Sequence, residues 1–120
     1  MKEIKGLIVD VHRGKDILDD SQMLIAKTKK YECHHNSAFN ALNFDCMYVE
    51  GYAVDSNGVR YMPHAVNKTK DGVYFDCTKN EKVNKAKHYK FEPVREYEAD
   101  EILDIFYSKG QSYLTIGNFL

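Results

Sequence analysis

The sequence has no apolar run approaching the roughly 20 residues that a membrane-spanning helix needs, so no transmembrane segment is expected. Its first residues, Met1-Lys2-Glu3-Ile4-Lys5-Gly6, carry an acid and lack a long apolar stretch, which argues against a secretory leader. Cysteines number only three, and the odd count rules out a complete disulfide framework. Free thiols in a reducing cytoplasm are the expectation. Charge of one sign is also scarce: a formal net charge of -1 gives no global pull toward nucleic acid or an anionic membrane. The seven glycines are scattered, and no phosphate-cradling loop is present. Those at 51, 58 and 72 have backbone explanations. There is no internal repeat and no low-complexity segment.

What is present is an ordinary globular composition, 43% hydrophobic and 29% charged over 120 residues. That length makes one domain, 1–120, able to bury a core without metal or disulfide. Residues 4–11 read as a strand that Gly14 breaks. Residues 19–30 read as a helix with Asp19, Asp20 and Ser21 at its start. A second helix runs from Glu32–His34 to Asn43, with Ala38, Ala41 and Leu42 on one face and Cys33 and Ser37 extending the row. Strands follow at 46–54, 59–67 and 73–77. They are separated by Asp55-Ser56-Asn57-Gly58 and by a second turn ending in Gly72. Residues 79–87 read as a polar loop and His88–Phe91 as a short strand stopped by Pro93. Ala99–Ser108 is an amphipathic helix with Gly110 as its stop. The tail, Tyr113 to Ile116, is a candidate edge strand.

Loop lengths set a register. If Asp55 pairs with Val59, Glu50 lies opposite His64 and Tyr52 opposite Met62. If Thr69 pairs with Val73, Asp76 lies opposite Val66, on the His64 face and diagonal to it. The polar face then carries Tyr48, Glu50, Tyr52, Met62, His64, Tyr74 and Asp76. The other face, with Val49, Ala53, Val59, Tyr61, Ala65, Val73, Phe75 and Cys77, is core.

A thiol at a helix N-terminus, an imidazole on the next sheet and a carboxylate one strand further on form a nucleophile's set. The helix end and an imidazolium both favour the thiolate, lowering a cysteine pKa to about 3.5–7.5. Cys33 is the candidate nucleophile, His64 the base and Asp76 the group that orients the ring. The backbone N–H of Cys33 is a candidate oxyanion donor, with Gln22 and Asn36 as side-chain candidates. Glu50 is a second candidate orienter or a substrate contact. Tyr52, with Tyr48 and Tyr74, either packs or lines a cleft.

Each residue alone has a plainer reading. A buried cysteine is more often a small core residue than a nucleophile. His64 alone could be a hydrogen-bonded strand histidine, and Asp76 a turn-end cap. Cys46 and Cys77 fall on or near the apolar face and are expected to be inert. Cys33, His34 and His35 sit together, yet their spacing matches no structural zinc pattern, so no metal and no cofactor are expected. The lysines at 79–90 make a solvated loop rather than a nucleic-acid site.

Tyr48-Val49-Glu50-Gly51-Tyr52-Ala53, Pro63-His64-Ala65 and Asp76-Cys77-Thr78, following the Cys33 helix, resemble small bacterial and phage proteins of the papain-like superfamily. The match is to the transglutaminase-like and NlpC/P60-like forms, with patterns near "VEGYA", "HAW" and "DPT". It covers about residues 31–78 and, more loosely, His88–Pro93. It implies an α+β domain in which a helix with an N-terminal cysteine packs on the His64 face of a small antiparallel sheet. It also implies a thiol-dependent hydrolase or acyltransferase acting on an amide or thioester carbonyl, with a protein or peptide-like substrate and a Cys33–His64–Asp76 triad. Val66 stands where the pattern has tryptophan, and Cys77 where it has proline. The glutamine that papain-like proteases place shortly before the cysteine is missing from residues 25–32. These departures bear on the oxyanion hole rather than on the fold.

Two other readings are weighed against this. One is a catalytically silent binding protein on the same fold, such as a phage or mobile-element inhibitor of a host factor. The other is a zinc-stabilised interaction module. A domain this small has room for a shallow cleft only, so a partner or a homodimer could complete the site.

Overall fold

Every second residue of the strand β3 (Cys46–Val54) turns to one side, yet both of its sides are buried. Tyr48, Val49 and Ala53 are fully covered, and Glu50 is 4% exposed. The cause is the architecture. The computed structural model describes residues 1–30, 32–78 and 88–109, with only the backbone described at His88 and Lys109. Its other strands are β1 (Lys2–Glu3), β2 (Val9–Arg13), β4 (Arg60–Thr69), β5 (Tyr74–Asp76) and β6 (His88–Tyr97). The helices are α1 (Gly14–Ile17), α2 (Asp20–Ile25), α3 (Cys33–Asn43) and α4 (Ala99–Lys109). The strands run in the order β6-β2-β5-β4-β3, and β3 pairs again with β6. The sheet is therefore a closed five-stranded barrel, with β1 added on β6.

This overturns the expected papain-like α+β core, a helix on an open antiparallel sheet. Closure comes from β6. One of its edges follows β3 from Lys90 to Tyr97, and the other takes β2 at Val9–His12 and β1 at its far end. The pair β2–β5 is parallel, with Val11 beside Tyr74 and Arg13 beside Asp76. Pro93 does not stop the strand. It lies where the β3–β6 register shifts between Glu50 and Gly51, and a bulge tolerates a residue without an N–H.

The barrel interior is filled by Val11, Val49, Val66, Tyr74 and Phe91. Outside, α3 and α4 cover Tyr48, Ala65, Phe75 and Tyr97 with Ala38, Ala41 and Ile102. The small residues of α3 let it lie close, and Asn67 Nδ2 donates to Ser37 O at 2.8 Å to fix it. So α3 sits on the outer face, while His64 shares the inward side of Val66. The expected packing of α3 on the His64 face is corrected accordingly.

Both expected turns form. Asp55 N–H donates to Val59 O at 2.9 Å and Thr69 N–H to Val73 O at 2.9 Å, with Gly58 and Gly72 at φ of 79° and 88°. The second register holds through Asn67–Phe75, which sets Asp76 and His64 on one side. The first does not. An irregularity at Ala53/Val54 slips β3 by one, so His64 faces Gly51, Tyr52 faces Pro63 and Glu50 faces Ala65. A one-residue slip reverses sides. Tyr48, Glu50 and Tyr52 thus leave the side that holds His64, Tyr74 and Asp76.

Other bounds differ less. The first strand is Val9–Arg13 rather than 4–11, and Gly14 opens α1 instead of ending a strand. The helix expected at 19–30 is the shorter α2, held by a capping box between Asp19 and Gln22. The expected loop at 79–87, the Gly110 stop and the strand at Tyr113 to Ile116 lie outside the described residues. No helix among the described residues is long and apolar enough to cross a membrane.

Gly51 is fixed by the barrel's closure. A Cβ there would meet Glu92 O at 2.0 Å and Phe91 Cζ at 2.9 Å. Replacement by alanine must push β6 off β3. We expect Gly51→Ala to lower the unfolding free energy by about 2–3 kcal/mol in urea denaturation; an unchanged midpoint would contradict this packing.

Candidate active site

β5 accompanies β4 only at Asn67 and Lys68, then ends at Asp76. Beyond that point the β4 segment carrying His64 has β3 on one edge and no ladder partner on the other among the described residues. The first turn of α3 reaches this place. Asn36 Nδ2 donates to Thr78 Oγ1 at 2.9 Å, just past the end of β5, and to Lys29 O at 2.7 Å. Asn40, one turn on, donates to Lys27 O at 3.2 Å and accepts from Lys27 N–H at 2.8 Å. These two asparagines strap residues 27–29 along the helix and set where Cys33 begins it.

His64 is fully buried. Its Nε2–H donates to Asp76 Oδ2 at 2.8 Å. The same oxygen accepts from the Tyr89 hydroxyl at 2.5 Å, and Oδ1 accepts from Thr78 N–H at 2.8 Å. The carboxylate is thus held from three directions, and it fixes the ring. The Tyr89 and Phe91 rings meet the imidazole edge-on, at 5.8 and 6.4 Å between centroids. That leaves Nδ1, which makes no well-aligned hydrogen bond among the described residues, as the ring atom available to sulfur.

Burial would push the Cys33 thiol up. Contacts from His34, whose Nδ1 is 3.4 Å from Sγ, and from His64 reverse the effect and bring the thiol down to about 6. Burial would likewise pull His64 down, but the charge and hydrogen bond of Asp76, aided by Cys33, raise it to about 10. Both shifts favour the thiolate and imidazolium forms over the neutral pair. Cys46 and Cys77 have no such partners. Burial pushes both up to about 12, which favours the protonated thiol. All three cysteines are free.

Cys33, His64 and Asp76 are therefore brought together. Glu50 is not at His64. The β3 slip turns it outward, where its carboxylate accepts from the Tyr48 hydroxyl at 2.8 Å. Tyr52 stacks under the Arg60 guanidinium, 4.2 Å from its ring centroid, and Arg60 in turn forks onto Glu92. The amide hydrogens of Asn36 are spent on Lys29 and Thr78, and Gln22 Oε1 accepts from Asp19 N–H in the α2 capping box. The uncapped N-terminus of α3 offers backbone N–H groups instead.

Two participants were not singled out from the sequence. Tyr89 reaches Asp76 only because barrel closure seats β6 beside β2, which in turn flanks β5. His34 was weighed only as a metal ligand. The side to which its ring turns is a rotamer choice that spacing does not encode. His35 lies instead near Glu32, at 3.9 Å. Among the described residues no group of three or more His, Cys, Asp or Glu side chains is arranged to hold a metal ion. An open groove of about 450 Å³ lies elsewhere, lined by Glu3, Lys5, Arg60, Glu92 and Arg95 among others. It contains none of the three residues.

Comparison with protein-family models, curated proteins and solved structures finds no match for the chain.

The electrostatics give a direct spectroscopic expectation. ¹⁵N-imidazole spectra should show both nitrogens of His64 protonated at pH 8, with the proton lost only as the pH rises toward about 10. A neutral His64 ring at pH 8 would contradict the ion pair. Stability is a poor substitute readout. The His64 contribution, from a raised value, is complete below its ordinary 6.5 and lost as pH rises through about 10. That of Cys33, from a lowered value, is complete above 9.0 and lost as pH falls through about 6. Between 6.5 and 9.0 the two slopes oppose and cancel.

Proposed function

We propose that the chain is a thiol-dependent hydrolase or acyltransferase acting on an amide or thioester carbonyl. The observation that carries this reading is the chain of contacts from Asp76 through His64 toward Cys33, with His64 Nε2 2.8 Å from the carboxylate and Nδ1 left for the sulfur. The lowered thiol of Cys33, against the raised ones of Cys46 and Cys77, supports it. So does the Cys–His–Asp order that resembles the papain-like superfamily, here carried on a different scaffold.

In this reaction the Cys33 thiolate attacks the carbonyl carbon and forms the C–S bond. The carbonyl π pair moves to oxygen, and backbone N–H groups at the α3 start receive that charge. The C–N or C–S bond of the substrate then breaks, and His64 gives its Nδ1 proton to the leaving group. A water or amine next attacks the thioester, losing its proton to His64, and Cys33 departs as thiolate. Asp76 holds the imidazole in place throughout.

Near-complete burial of Cys33, 9% exposed, and of His64 favours a second reading, a binding protein whose thiol meets no substrate. A small acyl donor separates the two. Incubation with p-nitrophenyl acetate at pH 7.5 should release p-nitrophenolate and leave one acetyl group on Cys33 by peptide mass spectrometry. Cys33→Ser should abolish it, and Asp76→Asn should slow it about 10²-fold or more. Acetylation spread evenly over three cysteines, or absent until denaturant is added, would favour the silent protein.

A further inference from the structure

We infer that His34 is a second imidazole acting on the Cys33 sulfur, holding a proton on Nδ1 against the thiolate independently of His64. The inference rests on the reading of Cys33 as a nucleophile and adds a residue that the Cys33–His64–Asp76 set does not contain. A histidine in the first turn of a helix ordinarily stands in solvent. Here the side chain is only 8% exposed and folds back onto its own neighbour, with Nδ1 3.4 Å from Sγ. Its Nε2 is buried with no hydrogen-bond partner among the described residues. Burying a polar ring in this way is costly unless charge compensates.

The compensating charge is on β3. Glu50 is 4% exposed, and His34 acts on it electrostatically, helping to hold its carboxylate against the upward push of burial. The Tyr48 hydroxyl donates to Glu50 at 2.8 Å, and Tyr97 and Arg95 also stabilise it. The β3 slip that removes Glu50 from His64 thus brings it within the field of His34. Two imidazoles then flank one sulfur: His64, hydrogen-bonded to Asp76, and His34, within the electrostatic field of Glu50. The other titratable groups that feel the sulfur are Tyr48 on β3 and Tyr89 on β6, both raised by burial and neutral.

Two partners have a chemical use. His64 gives its proton to the leaving group and takes one from the incoming water or amine, so it serves proton transfer as well as the charge on sulfur. His34 takes no part in that transfer, and its Nδ1, 3.4 Å from Sγ, adds a second contact to the sulfur in the resting site.

Thiolate absorbance at 240 nm, recorded from pH 4 to 9.5 against Cys33→Ser as blank, tests this on the intact chain. The native midpoint should lie near 6. His34→Gln should raise it by about one pH unit or more. His64→Gln should raise it too, and the double variant should titrate no lower than an ordinary thiol. An unchanged midpoint in His34→Gln with a raised one in His64→Gln overturns the inference and leaves the nucleophile reading standing. A native midpoint at the ordinary thiol value instead removes the nucleophile reading itself. Should His34→Gln fail to fold, ¹⁵N spectra of the native chain decide. The Nδ1 resonance of His34 should follow the Cys33 titration, and a resonance indifferent to it overturns the inference.

Discussion

The buried hydrogen bond between His64 and Asp76 is the constraint that the candidate site depends on. Neither group tolerates burial alone. A lone imidazolium or carboxylate at such depth would neutralise, and breaking a buried pair by removing one partner typically costs about 3–5 kcal/mol. Together, and with Tyr89 and Thr78 completing the carboxylate, they fix the orientation of the imidazole close to where α3 begins. Cys33 is the cysteine whose thiol His64 lowers. Its difference from Cys46 and Cys77 is one of neighbours rather than of burial, since all three are at most 9% exposed.

The barrel makes that arrangement possible. β5 is only three residues long, and its end leaves the His64 stretch of β4 without a second ladder among the described residues. Closure by β6 supplies Tyr89 and Phe91 against the ring. That closure in turn requires β3 and β6 to approach so nearly at Gly51 that no side chain fits. The glycine of the Tyr48–Ala53 stretch is therefore architectural, although it lies directly across from His64.

Local features were legible in the sequence where local chemistry decides them. Asp55 to Gly58 and Thr69 to Gly72 specify their turns through glycines at positive φ and through the Asp55 and Thr69 side chains, which accept backbone N–H groups. The second turn also sets Asp76 on the His64 side, which needs nothing beyond a correct loop length. The helix α3 follows from its small-residue face. What was not legible depends on distant strands. The slip at Ala53/Val54 moves Glu50 from His64 to the His34 side, and no residue near it announces a bulge. Pro93 reads as a stop when β6 is considered alone, but within the sheet it marks an irregularity. Because both sides of β3 are buried, its alternation of polar and apolar residues does not separate solvent from core. The papain-like fold expectation failed for this reason: the alternation reads as a small antiparallel sheet with one polar face under a helix and one core face, where a closed barrel lies under helices.

The central claim is that Cys33 is a thiolate because His64, oriented by Asp76, is charged beside it. The most direct measurement is the iodoacetamide alkylation rate of each cysteine from pH 5 to 9, read by peptide mass spectrometry on the native chain and on His64→Ala. The account predicts that Cys33 alone reacts, with a rate that rises through about pH 6 and then levels, and that His64→Ala shifts the rise toward higher pH. A Cys33 that stays unreactive, or whose profile is the same with and without His64, would contradict it.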